Sequence, residues 1–137
     1  MKRSILLSIH PTHVKNILNG SKFFEYRRVI PKEEVSHVVI YSTAPVSRVV
    51  AIARIEEIIS ESPSNTWRLT KSGAGIGKVF YDSYFTGRNI ANALKLSNIV
   101  ELEEPLRLNA IGESMKPPQS FCYVEAHTIS DLMAARV

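Results

Sequence analysis

Gly20-Ser21-Lys22-Phe23-Phe24-Glu25-Tyr26-Arg27 closes one helix, opens one strand and sets two cations beside a carboxylate. Glycine at position 20 suits the residue just past a helix C-terminus, because it takes positive φ without a Cβ clash and lets the chain turn sharply. Phe23, Phe24, Tyr26 and Val29 are the aromatic and β-branched types that pack on a pleated surface, so a strand is predicted to begin at once. The charges between them need a reason. Glu25 and Arg27 are two apart and share a strand face, where a solvated pair contributes only about 0–1 kcal/mol. The alternative is a pocket in which Lys22, Glu25 and Arg27 act together.

Upstream of the octet, Ile5, Leu6, Leu7 and Ile9 predict a short buried strand. Pro11 and Thr12 then supply helix-start chemistry, with Val14, Ile17 and Leu18 at helical spacing as far as about Asn19. Downstream, Val38, Val39 and Ile40 read as a strand and residues 48–59 as a longer one. Ser62-Pro63-Ser64-Asn65 is a turn and helix-start cluster, with helices predicted over 66–71 and 78–85 and Gly73, Gly75 and Gly77 in the loop between them. Residues 90–103 read as a strand ended by Pro105, although Ala91, Ala93 and Leu94 also suit a helix. A loop over 112–120, a closing strand over 121–125 and a helical turn over 130–135 complete the chain. Without regular βαβ alternation, this order predicts an α+β fold: a small, mainly antiparallel β-barrel with helices on its rim.

At 137 residues and 45% hydrophobic, the chain is expected to form a single domain over 1–137, burying about two thirds of its extended surface. Cys122 is the only cysteine, which excludes an internal disulfide framework and argues against a zinc ribbon, so no metal or cofactor is expected. A reducing cytoplasm fits best. The basic start is followed by too short an apolar run, interrupted at Ser8, for a signal peptide or membrane span. Charge is placed unevenly. Residues 1–32 hold seven Lys or Arg against Glu25 alone, a net of +6, while the remainder is −2, so a polyanionic partner is expected at the segment that carries the octet.

Other constellations are weaker. Ser72-Gly73-Ala74-Gly75-Ile76-Gly77-Lys78 lacks the first glycine and the Ser or Thr of a phosphate loop, since Ser72 and Val79 stand at those positions. A flexible inter-helix loop is the better reading. His10 and His13 lie three apart near a helix start, but nothing beside them completes a metal-ligand set. Trp67 is read as a core anchor, and Tyr84 as the better candidate for an exposed aromatic face.

The pattern Gly20-x-Lys22-x-x-Glu25-x-Arg27, after a strand and a short helix, resembles the signature of the ASCH domain, a PUA-like barrel family associated with RNA. Ser8-Ile9-His10-Pro11, Tyr41-Ser42-Thr43-Ala44-Pro45, Tyr84-Phe85-x-Gly87 and Pro117-Pro118-Gln119-Ser120-Phe121 fall in family order, so the resemblance covers nearly the whole chain. It implies a PUA-like barrel with a cleft beside its N-terminal helix. Lys22 and Arg27 are then expected to contact anions, while Glu25, which would repel phosphate, orients them or accepts from an exocyclic amino group such as the N4 of cytosine. Ser8, His10, Ser42, Tyr84 and Gln119 are further cleft candidates. The expected ligand is single-stranded RNA or a modified nucleotide, with DNA a further candidate.

Two other functions stay open. Some members of the superfamily are amidohydrolases acting on N4-acetylcytidine and others are ribonucleases, which would make Lys22 and Glu25 catalytic residues of a metal-independent hydrolase. In the amidohydrolase subgroup a threonine stands where this chain has Glu25. A carboxylate there stabilises the ammonium and argues against Lys22 as a ready base. ASCH domains also occur in transcriptional coactivators and beside helix-turn-helix domains. No such helix pair is visible here, so a transcriptional or regulatory role is expected to need a protein partner.

Overall fold

Five consecutive apolar or small residues make β1 (Arg3–Ile9) a strand covered on both faces: Ile5, Leu7 and Ile9 enter one core cluster and Leu6 another. The computed structural model describes residues 2–113, 115–125 and 127–135. After β1 come α1 (Pro11–Leu18), β2 (Phe24–Arg27), β3 (Val35–Ser42) and β4 (Arg48–Glu61). Then follow α2 (Pro63–Thr70), α3 (Lys78–Tyr84), β5 (Ala91–Leu106), β6 (Phe121–Val124) and α4 (Thr128–Ala135). The strands form one six-stranded sheet in the order β2-β5-β4-β3-β1-β6. β1 and β3 run parallel, with Leu6 opposite Val39, and every other ladder is antiparallel.

The mixed α+β class is as expected, but the strand ladders do not show the sheet closed into a barrel. β2 and β6 are the two sheet edges, and among the described residues no ladder joins them. A side chain bridges the gap instead. Arg27, on β2, donates to the backbone carbonyls of Ser8 on β1 at 2.8 Å and Ser120 before β6 at 3.3 Å. The sheet therefore curls until its edges face each other across a seam that Arg27 bridges. One expectation is corrected at Pro105, which does not end β5; the strand continues to Leu106, paired with Val49 beyond a register shift.

Three apolar clusters fix this shape. Val14 and Ile17 of α1 pack on Ile5, Leu7, Val38, Ile40 and Leu94, which seats α1 on one sheet face. Leu108 and Leu132 cover the opposite face over Leu6, Val39 and Ile52. Phe24, Tyr26, Ala74, Tyr81 and Phe85 form an aromatic cluster that holds α3 against β2. Tyr81 is fully buried, its hydroxyl donates to Pro63 O at 2.7 Å, and burial pushes its pKa up to about 12. Burying each large apolar side chain contributes about 1.5–3 kcal/mol. Trp67 packs at the edge of this cluster, its ring 4.8 Å from that of Tyr81. Among the described residues, no helix is long and apolar enough to cross a membrane.

Candidate functional site

The octet is pinned at both ends before its charges meet. His10 caps α1, its Nδ1 accepting from Thr12 N at 3.1 Å, and Pro11 follows as the first helical residue. At the far end Gly20 takes φ +85°, and Asn16 O accepts from both Ser21 N and Lys22 N at 3.0 Å. Phe23 N then donates to Gly73 O at 2.8 Å, and β2 begins at Phe24.

The alternating glycines form a close cover over this turn. A Cβ on Gly75, which has φ +65°, would lie 2.5 Å from Lys22 Cβ, and one on Gly73 would lie 2.4 Å from the Phe23 ring. Between them Ala74 O accepts from Lys22 Nζ at 2.8 Å. The segment read as a flexible loop is thus the sleeve that buries Lys22.

Lys22, Glu25 and Arg27 are 3%, 6% and 8% exposed, so the solvated-pair reading is replaced by a buried cluster. Arg27 donates twice to Glu25 Oε2, from Nε at 3.1 Å and from NH2 at 2.8 Å. With its bonds to Ser8 O and Ser120 O, four of its five N–H groups are engaged within the protein. Glu25 Oε1 lies 3.9 Å from Lys22 Nζ, a looser approach. Burial holds the Lys22 ammonium below the usual lysine pKa; Glu25 opposes this and Arg27 adds to it.

A cavity of about 450 Å³ opens over the cluster, along the seam and under α1 and α3. Seven of the eight residues singled out in the sequence line it: Ser8, His10, Lys22, Glu25, Arg27, Tyr84 and Gln119. Ser42 does not. It is buried beside Ile9 in the β1–β3 ladder and lines a second cavity, of about 500 Å³, on the other flank of α1 with Val14 and Leu18.

Among the lining residues that the sequence did not single out for the cleft, His13, Arg28, Phe80 and Arg88 bear most on its chemistry. Arg28 donates from Nε to Tyr84 O at 2.8 Å, with its guanidinium 4.2 Å from the Tyr84 ring centroid. Phe80 is 52% exposed and its ring lies parallel to that of Tyr84, centroids 6.5 Å apart. Their four-residue spacing on one helix was a readable signal. His13 meets Phe80 edge-on at 5.7 Å and His10 at 6.0 Å. Among the described residues no group of three or more His, Cys, Asp or Glu is placed to hold a metal. Burial first, and Lys22 second, hold His13 below the ordinary histidine pKa. Two of the three buried side-chain polar atoms without a hydrogen-bond partner among the described residues, Ser8 Oγ and His13 Nδ1, belong to residues lining this cavity.

The fold and site together define a curled, open α+β sheet whose seam holds a buried Lys-Glu-Arg cluster beneath a cationic, aromatic rim. Over 97% of its length the chain is 28% identical to the ASCH domain-containing ribonuclease of Zymomonas mobilis, and it covers 92% of that protein. Its fold matches the crystal structure of ASCH from Zymomonas mobilis with a TM-score of 0.86 at 28% identity, over 96% of this chain and 94% of that one. The N-terminal domain of Staphylothermus marinus McrB shares the fold alone, with a TM-score of 0.61 at 7% identity over 98% of this chain and 94% of that one. No protein-family model matches the chain. Over nearly its whole length, in sequence and in fold, the chain is similar to the ASCH domain proteins of Zymomonas mobilis, which supports the family resemblance read from the octet.

Proposed function

We propose that this protein binds single-stranded RNA with one unstacked nucleotide in the seam cavity, and that it cleaves the strand it holds. The observation that carries the binding reading is the buried Lys22-Glu25-Arg27 cluster at the floor of a cavity large enough for a nucleotide. Glu25 Oε1 presents an acceptor to the cavity, which fits an exocyclic amino group on the hydrogen-bonding edge of a base. That edge is hidden in a duplex and open in an unstacked strand.

The rim supplies the backbone contacts. Arg27 is occupied in bridging the seam, so the anion contacts expected of it pass to Arg28 and Arg88, which line the cavity and are exposed. Phe80 and Tyr84 offer faces on which neighbouring bases stack, at about 1–3 kcal/mol per base. Cleavage is supported by the full-length likeness to the Zymomonas ribonuclease and by the Lys22 cation, placed to stabilise charge developing on phosphorus-bound oxygens.

Fluorescence anisotropy of labelled single-stranded and duplex RNA and DNA, with every endpoint sample run on a denaturing gel, tests both halves. Salt-sensitive binding of single-stranded RNA, weakened in Arg28→Ala and Arg88→Ala, and shortened RNA with wild type are expected. Equal affinity for duplexes, or no binding at low salt, would overturn the binding half; intact RNA at saturation would overturn the cleavage half.

A further inference from the structure

We infer that His13 is the general base of this site, taking the proton of a ribose 2′-hydroxyl while Lys22 protonates the leaving 5′-oxygen. The inference rests on the RNA-cleaving reading above and goes beyond it, because it fixes the reaction as an internal transesterification. Elimination among the cavity's own groups leads there. Glu25 turns one oxygen to Arg27, with two hydrogen bonds, and the other to Lys22, so a proton arriving on it would disrupt the cluster. Lys22 donates to Ala74 O and faces Glu25, as an ammonium does, and therefore enters the reaction carrying its proton. The Tyr26 hydroxyl shares a 2.7 Å bond with Thr70, and His10 Nδ1 is committed to capping α1.

His13 has no such commitment: no hydrogen bond to its ring is found among the described residues. Its Nδ1 is enclosed, which leaves Nε2 as the nitrogen open to an occupant of the cavity. The edge-on contact with Phe80 at 5.7 Å holds the ring in place. The charged and titratable groups that face it are His10 on its own element, Lys22, Glu25 and Arg27 from the β2 side, Arg28 and Arg88 at the rim, and Tyr84 from α3. Burial and the cation of Lys22 prevail over the pull of Glu25, so the imidazole is neutral near pH 7, the form a base requires. The same burial that opposes charge on Lys22 makes its ammonium readier to release a proton.

The step balances within the site. The 2′-oxygen bonds to the adjacent phosphorus as its proton passes to His13 Nε2, and the P–O5′ bond breaks as O5′ takes a proton from Lys22. The products are a 2′,3′-cyclic phosphate and a 5′-hydroxyl, after which the imidazolium gives its proton to solvent and the Lys22 amine takes one up.

The test uses the full chain with a labelled single-stranded RNA and its fully 2′-O-methylated counterpart. Wild type is expected to cut the RNA, leaving cyclic-phosphate and 5′-hydroxyl ends, and to bind the methylated strand without cutting it. His13→Gln is expected to bind the methylated strand as wild type does and to cut RNA on the order of 100-fold more slowly. The acid limb of the wild-type kcat profile falls below the ordinary histidine value of about 6.5 and disappears in His13→Gln. Ends bearing 5′-phosphate, cleavage of the methylated strand, or His13→Gln at the wild-type rate would overturn the inference while leaving the ribonuclease reading in place. Wild type that binds RNA and leaves it intact would overturn both.

Discussion

Glu25 is the residue on which the site depends electrostatically, because it is the carboxylate that faces both Lys22 and Arg27. Glu25→Ala leaves two buried cations without it and is predicted to destabilise the fold by about 3–5 kcal/mol. Glu33→Ala, which breaks the half-exposed 3.0 Å pair with Arg3, is predicted to cost less than about 1 kcal/mol. Urea unfolding reads both, and equal small losses would contradict the picture. His13 supplies a second prediction at this scale. Its unfolded-state imidazole takes a proton near pH 6.5 that the folded protein resists, so its contribution to stability is present above that pH and lost as pH falls toward the lowered folded value. Lys22→Met removes the second cause of that lowering, and the His13 ring resonances are predicted to titrate at higher pH than in wild type. No change in the NMR titration would separate the two side chains. The identities of Lys22, Glu25 and Arg27 were legible in the sequence, but their burial was not. Glu25 and Arg27 two apart on a strand read equally well as a solvated pair, and the acceptor that covers Lys22 lies 52 residues away.

The glycine loop and the seam are where elements meet to build the site. Gly75→Ala puts a Cβ against Lys22 at a left-handed φ, and it is predicted to destabilise by about 1–3 kcal/mol and to weaken RNA binding by displacing Lys22. Gly77→Ala, with open space around it and φ −80°, is predicted to act only through the α3 cap, at no more than about 1 kcal/mol, with binding unchanged. Thermal unfolding and anisotropy on both variants check this, and like effects at the two positions would count against the sleeve. Most elements were readable from local pattern: the apolar run of β1, the helical spacing of Val14, Ile17 and Leu18, and the long alternation of β4. The parallel β1–β3 ladder, the unclosed edges and the passage of β5 through Pro105 were not. These depend on which distant strands pair and in what register, which no local period encodes. Ser42 was misplaced for the same reason: it neighbours Ile9 in the sheet, yet α1 stands between it and the seam cavity.

Across the whole molecule, the charge asymmetry of the chain becomes a lip. The segment of residues 1–32 supplies α1, Lys22, β2 and Arg28 to one side of the cavity, while α3 and Arg88 supply the other. The logarithm of affinity for single-stranded RNA is predicted to fall linearly with the logarithm of salt concentration, with a slope of about −0.7 per phosphate contacted. Arg28→Ala and Arg88→Ala are each predicted to reduce that slope by about 0.7, and a slope unchanged in both would place the phosphates elsewhere.

The central claim is that RNA lies across this seam, and photo-crosslinking with 4-thiouridine-substituted single-stranded RNA, mapped on tryptic peptides, tests it most directly. The account predicts adducts on the peptide of residues 79–88, which carries Phe80 and Tyr84, and on residues 4–15, which carry His13. Adducts absent from both and concentrated on residues 96–107, beside the second cavity, would contradict it.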